Sequence, residues 1–254
     1  MSLMLHCNAS PITLVELAKI KAKKPAGASD IYQPVNHIDL VNAIKLGCKE
    51  RELDVIAQQW GLTDDKLALF GEVKLKGKAL PKMKEMECCL GVRHANNRKM
   101  SIRFAVGANV FVCDNMAISG DFILSRRHTN GLELEEQVLE GLDSYILESK
   151  ELPKMKTDLE KIKITPEKEH RILTVASHGF EDEPDDNPSR MRLIRKAHLW
   201  EFHNEWMQPT HKEFQPRNGW SLYNCYTEIV KRYNPTVQIK GAKEFRDLIF
   251  TCDN

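Results

Sequence analysis

The alternation of side chains between residues 99 and 106 is the feature that most constrains the fold of this chain. Apolar Met100, Ile102, Phe104 and Val106 alternate there with Lys99, Ser101, Arg103 and Ala105. Successive residues of a β-strand point to opposite faces of its sheet, so a period of two predicts a strand with one buried face and one face open to water. An antiparallel sheet is the arrangement that commonly leaves one face open.

Neighbouring segments extend this interpretation to a whole sheet. Residues 54–60, 66–76 and 86–92 are strand-like, and residues 110–113 form a short apolar strand. A hairpin loop at residues 61–65 and a turn at 95–98 would connect consecutive strands. We therefore expect an α+β fold with an antiparallel sheet of four to five strands in the first half of the chain.

Helical periodicity appears before the sheet and dominates after it. Residues 37–50 carry an apolar stripe that ends near Gly47 or Arg51, and residues 133–150 carry a second one. Pro153 would restart the chain as a new helix, and Thr165 followed by Pro166 has the chemistry of a helix start. Further helices are expected at residues 191–206, capped by Ser189, and within 219–233.

These elements predict three regions: an N-terminal arm at residues 1–30, a sheet-rich core at 31–132, and a helical region at 133–254. We expect the helical region to pack on the sheet as one continuous domain. Residues 181–188 hold five acidic side chains and two prolines, which is typical of an exposed loop.

Composition narrows the class of protein. Seven cysteines without Cys-x-x-Cys spacing argue against a disulfide framework and a zinc ribbon. Residues 1–11 lack the long apolar region of a secretory signal, and the sequence has no run of about 18 apolar residues, so we expect a cytoplasmic protein with no membrane contact. The net charge of +1 hides an asymmetry, because residues 1–132 carry an excess of six basic side chains and the remainder an excess of five acidic ones. That imbalance favours an anionic partner for the first half.

The common catalytic motifs are absent. The chain lacks a phosphate-binding Gly-Lys-Ser/Thr loop and the GxGxxG, GxSxG and HExxH patterns, which favours a non-enzymatic protein without a cofactor. Asp114 and Asn115 offer oxygen ligands for Mg²⁺, but an Asp-Asn pair after a strand is more typical of a turn. Histidines at 94, 128, 198, 203 and 211 have no matching ligand spacing, so we predict no metal site.

Two segments carry a resemblance to a known family. The run Gly-Ala-Asn-Val-Phe-Val-Cys-Asp-Asn at residues 107–115 lies within a longer segment, 90–120, and residues 218–227 contain a Trp-x-Leu-Tyr-Asn element. In these segments the chain resembles the phage/plasmid-like family known as domain of unknown function 932. Its turn at residues 93–97 departs from the family pattern. The resemblance covers roughly residues 30–250 and implies a mobile-element role in replication, recombination or conflict with the host.

The first function we predict is binding of single-stranded DNA, or of a DNA-processing complex, in a recombination- or annealing-like role and possibly as a homo-oligomer. A basic sheet face with flexible cations nearby suits a phosphodiester backbone. Its predicted residues are Lys74, Lys76, Arg93, His94, Arg98, Lys99, Arg103, Arg126 and Arg127. The order of strands followed by a long helix also matches single-strand annealing proteins, by analogy of fold alone.

Other interpretations stay open. Lysines on strands also deter aggregation of sheet edges, so the basic face is also explained as a solvated surface. The acidic residues 181–186 suit an inhibitor that binds a host defence or replication protein. A metal-dependent nuclease using Asp114 is a third possibility. The aromatic residues Trp200, Phe202 and Trp206 indicate either a partner surface or, as we prefer, a packed core.

Overall fold

The computed structural model describes residues 9–98, 101–110, 115–126, 132–178, 193–231, 233 and 235–252. The chain divides into two compact units, Met1–Leu152 and Pro153–Asn254. The division falls after the first long helix that follows the sheet. That helix, which the sequence analysis assigned to the helical region, therefore belongs to the sheet unit.

The first unit is built on a sheet in which every neighbouring pair of strands is antiparallel and the strand order follows the sequence. Five long strands confirm the predicted antiparallel sheet, and a three-residue strand adds one edge. The strands are β1 (Ala9–Pro11), β2 (Leu53–Thr63), β3 (Ala68–Gly77), β4 (Met86–Ala95), β5 (Ile102–Val110) and β6 (Asn115–Arg126). The chain thus makes an α+β fold, with the sheet in its first half and mostly helices in its second half.

The strand register separates two faces of this sheet. Residues directly opposite each other in an antiparallel pair lie on the same face. Val92 pairs with Phe104, and Leu90 pairs with Val73 and Val106. All five side chains are buried. We call this side the helical face, because the helices of the first unit pack on it.

Three helices complete the first unit: α1 (Leu14–Leu17), α2 (His37–Glu50) and α3 (Leu134–Ser149). The bounds of α2 and α3 confirm the predictions from periodicity. Both helices bury an apolar stripe, with Leu40 and Ile44 on α2 and Leu142 on α3. A Cβ atom at Gly47 would lie 2.7 Å from a Leu142 methyl carbon, so this glycine allows α2 and α3 to approach closely.

The second unit is helical. Its helices are α4 (Leu152–Lys161), α5 (Pro166–His178), α6 (Leu199–Met207), α7 (Gly219–Val230) and α8 (Pro235–Thr251), with single 3-10 turns at Lys196–His198 and Lys212–Phe214. Aromatic side chains form its core. Tyr226 stacks on Phe245 with ring centroids 4.2 Å apart, and Phe202 and Trp206 are buried.

Three features of this unit differ from the sequence predictions. The helix expected over residues 191–206 begins only at Leu199, because the Ile194 N–H donates to the Ala176 carbonyl and not to a carbonyl of its own segment. Helix α8 was not predicted. The aromatic stripe of α6 is split, since Phe202 lies in the core while Trp200 is 71% exposed.

Several predicted features lie outside the described residues: the acidic segment 181–188, the apolar residues 111–113, and Asp114. Among the residues that are described, no helix has the length and apolar character needed to span a membrane.

Candidate nucleic-acid interface

The sheet face opposite the helical face carries the charged residues. Strand register places Arg93 opposite Phe70 and Arg103, Glu72 opposite Gly91, and Lys74 opposite Cys89. Lys76 and Glu87 lie on the same face at the far end of β3 and β4. We call this side the charged face, defined by Glu72, Lys74, Lys76, Glu87, Arg93 and Arg103.

Arg93 and Arg103 are directly opposite each other on β4 and β5. Like charges at such positions destabilise a sheet. Arg93 is only 6% exposed, which corrects the expectation of a water-exposed side chain. Burial, and then the charge of Arg103, lower the pKa of Arg93 to about 10, so the guanidinium is still a cation at neutral pH. Arg103 is half-buried, and its Nε donates to Ser101 Oγ at 3.1 Å.

The other end of the charged face mixes both signs of charge. Lys74 is half-buried, while Lys76 is exposed with its Nζ 3.3 Å from a Glu87 carboxylate oxygen. Glu72 is buried between the two cationic ends, and the Cys89 thiol donates to its Oε1 at 3.3 Å. Burial, with the neighbouring Glu72 charge, raises the pKa of Cys89 well above its usual range. This thiol is therefore neutral and unreactive at physiological pH.

His94 does not belong to the charged face, which corrects its predicted place in the interface. It is adjacent to Arg93 on β4 and therefore points to the helical face, where it is fully buried. Its Nδ1 lies 2.9 Å from Nδ1 of His37 on α2. A side chain enclosed between sheet and helix cannot contact a nucleic acid, so we leave His94 out of the interface.

Arg98 lies at the turn between β4 and β5. It is exposed and has a positive φ of 66°, and its Nη1 donates to the Gly27 carbonyl at 2.7 Å. Lys99 and Arg127 lie outside the described residues. For Arg126 the structure describes the strand register, in which it pairs with Ile102.

Four further lysines lie near the β3 end of the charged face and were not predicted: Lys45 and Lys49 on α2, and Lys78 and Lys82 in the loop between β3 and β4. One sequence signal pointed to part of this set, because Lys74, Lys76 and Lys78 alternate and so share one side of an extended chain. No sequence signal pointed to Lys45 and Lys49 of α2.

The remaining chemistry in the described residues is structural. Burial raises the pKa of Cys48 and of Cys88 to about 11, so neither thiol is a nucleophile at neutral pH. His198 shares a 2.8 Å hydrogen bond with the Tyr233 hydroxyl. In the same parts of the chain, no three His, Cys, Asp or Glu side chains are grouped to hold a metal ion.

Fold and site together define an α+β protein with a charged, partly buried sheet face. Comparison with family models, with curated proteins and with solved structures found no match to this chain. The resemblance of residues 90–120 to a phage/plasmid-like family therefore stays a prediction.

Proposed function

We propose that this protein binds single-stranded DNA through the charged face of its sheet. The observation that carries the proposal is the strand register, which gathers Lys74, Lys76, Arg93 and Arg103 on the face opposite the one covered by α2 and α3. These four cations come from three strands. Only the sheet brings them together.

The Arg93–Arg103 pair supplies the electrostatic reason for an anionic ligand. Two guanidinium groups opposite each other repel, and the lowered pKa of Arg93 reflects that repulsion together with burial. A phosphate near Arg103 would add an attractive charge next to the two guanidinium groups and so favour binding of an anionic ligand. Lys76 is exposed and Lys74 and Arg103 are half-buried, so these three cations are accessible to direct contact. The buried Arg93 adds positive charge beside Arg103.

The width of the sheet favours a single strand over a duplex. Strands lie about 4.8 Å apart, so β2 to β6 span roughly 19 Å. The major groove of B-DNA is about 12 Å wide and admits a helix or a two-stranded ribbon. A broad sheet face cannot enter it, but an extended single strand can contact the accessible cations of such a face.

The resemblance to a mobile-element family supports a recombination- or annealing-like role for this binding, and such a role is compatible with a homo-oligomer. The alternative proposal is an inhibitor of a host protein, acting through the acidic segment 181–186. The inhibitor proposal would be favoured if the chain captures a host protein and no longer captures it once the acidic residues of this segment are neutralised.

Fluorescence anisotropy of a labelled oligothymidylate, titrated at several salt concentrations, tests DNA binding. We expect affinity to fall with salt, with the slope of log K against log salt reduced by about 0.7 for each phosphate contact removed. Arg103→Glu and the double variant Lys74→Glu with Lys76→Glu should weaken binding. Lys212→Glu, which makes the same charge change as Arg103→Glu at an exposed site in the second unit, is the control. Salt-independent affinity, or affinity unchanged by Arg103→Glu, would overturn the proposal.

A further inference from the structure

The end of the sheet where β3 leads into β4 contains a groove outside the predicted interface. One part, of about 530 Å³, lies between the end of β3 and the following loop. A second part, of about 600 Å³, lies between α2 and the start of β2. Both parts include Asp54, Gly77 and Lys78, so they adjoin. We call the whole the lysine groove, defined by Lys45, Lys49, Lys76, Lys78 and Lys82.

The lysine groove carries more positive than negative charge. Its five lysines face three carboxylates, those of Glu52, Asp54 and Glu87. Of these lysines, Lys76 has Glu87 as an ion-pair partner. The other four have no carboxylate at ion-pair distance in the part of the chain that the structure describes. Ammonium groups gathered in this way attract a ligand with more than one negative charge.

The floor of the groove is apolar. A site for a small inorganic anion does not need such a floor. Leu75, Leu80 and Met86 are buried beneath it. Pro81 and Met83 are half-buried, so part of their apolar surface faces the groove. When a flat organic group covers apolar surface of this kind, the free energy of the complex is lowered. A ligand that matches both features carries phosphates and an uncharged planar group.

We propose that the lysine groove holds a nucleotide unit of the bound strand, with its base against Pro81 and Met83 and its phosphates near Lys78 and Lys82. The following phosphates continue toward Lys45 and Lys49. A volume of about 530 Å³ is within the usual range for ligand pockets, roughly 300–1,000 Å³. This inference rests on the proposed function, because Lys76 belongs to both the charged face and the groove.

Two single-stranded oligomers, one with bases and one without, test the inference. Labelled oligothymidylate and an abasic phosphodiester of equal length are titrated against wild-type protein and two variants. Lys78→Glu with Lys82→Glu should weaken binding of both oligomers about tenfold at moderate salt, since two phosphate contacts are lost. Met83→Ser should weaken only the base-containing oligomer, by about threefold, because the lost apolar contact serves the base alone. Lys212→Glu is again the control, and thermal unfolding of each variant checks its fold.

A crosslinking measurement on the wild-type protein tests the inference without relying on variants that could misfold. Oligomers containing 4-thiothymidine are photo-crosslinked to the protein, and the attached peptide is mapped by mass spectrometry. We expect a crosslink within residues 78–86. The inference is overturned, and the proposed function kept, if Arg103→Glu weakens binding while the groove variants do not and no crosslink falls in that loop. If the wild-type protein binds neither oligomer, both proposals fail.

Discussion

The imidazole rings of His37 and His94 meet in the interior of the sheet unit, with their Nδ1 atoms 2.9 Å apart and their planes at 78°. His37 Nε2 lies 3.0 Å from the Lys66 carbonyl oxygen, which only accepts hydrogen bonds. His37 therefore carries its proton on Nε2 and accepts at Nδ1, and His94 donates from its Nδ1. This bond joins the first residue of α2 to β4, and it requires His37 to be unprotonated at Nδ1.

Stability should therefore fall in mild acid. Burial lowers the pKa of His37 below its usual 6.5. The unfolded chain takes up a proton near pH 6.5 and the folded chain only at lower pH, so this stability is complete above about pH 6.5 and is lost as the pH falls below it. Urea unfolding between pH 7.5 and 5.5 should show a loss of about 1.4 kcal/mol per pH unit for each extra proton on the unfolded chain.

Replacing both histidines by asparagine provides the comparison for this pH effect. The double variant should be less stable at neutral pH but should have a flatter dependence on pH than the wild-type protein. Equal slopes for the two proteins would show that other groups cause the acid sensitivity.

Gly71 should not tolerate a side chain. It lies opposite Trp60 on the helical face, and a Cβ atom there would be 2.2 Å from the indole ring. Gly71→Ala must displace a buried tryptophan, so we expect a loss of about 1–3 kcal/mol in the free energy of unfolding.

Gly91 is the matched control, since it is also a strand glycine. Its added Cβ would meet the Ala105 Cβ at 3.6 Å, which is an ordinary contact. Gly91→Ala should leave stability unchanged or raise it by up to about 1 kcal/mol, because alanine reduces the entropy of the unfolded chain. Equal destabilisation by both changes would contradict the assigned role of Trp60. Denaturant titration of the two variants measures the difference.

Removing the charge of Arg103 should lower the affinity for DNA without lowering the stability of the fold. Arg103→Gln relieves the repulsion on Arg93, so we expect the free energy of unfolding to stay within about 0.5 kcal/mol of wild type or to rise. The same change should lower the affinity for oligothymidylate. A large loss of stability would instead show that Arg103 is needed to hold the sheet together.

The two tryptophans of α6 should respond oppositely to truncation. Trp206 is buried, with the Arg217 guanidinium 4.5 Å from its ring centroid, so Trp206→Ala should cost about 3–5 kcal/mol. Trp200 is 71% exposed and stacks on His203, so Trp200→Ala should change stability by less than about 1 kcal/mol. Thermal or urea unfolding of the two variants tests this. Similar losses for both would mean that Trp200 is covered in solution.

Much of the secondary structure was predictable because its signals are local. The alternation around Phe104 identified β5, and the apolar stripes identified α2 and α3 within one residue of their ends. Thr165 followed by Pro166 correctly marked the start of α5, since an N-cap and a proline act on the first turn alone. The helix expected from residue 191 failed because a distant carbonyl, that of Ala176, takes the hydrogen bond of Ile194.

The candidate site was predictable only as a set of cations. Alternation assigns neighbouring residues to opposite faces, but which face is covered depends on where the helices pack. That packing, invisible in the sequence, enclosed His94 beside His37. It also carried Lys45 and Lys49 of α2 to the end of β3, next to Lys78. Arg93 is buried on the opposite face, which the sequence did not indicate either.

By itself, then, the sequence determined where most of the strands and helices form and that the first half is basic, because periodicity, caps and charge are properties of short segments. The tertiary structure alone decided which cations are accessible, which are buried, and which distant lysines share one groove. Burial and electrostatic interaction depend on distances in space, and residues as far apart in the chain as Lys45 and Lys78 line one groove only when the helices cover the sheet.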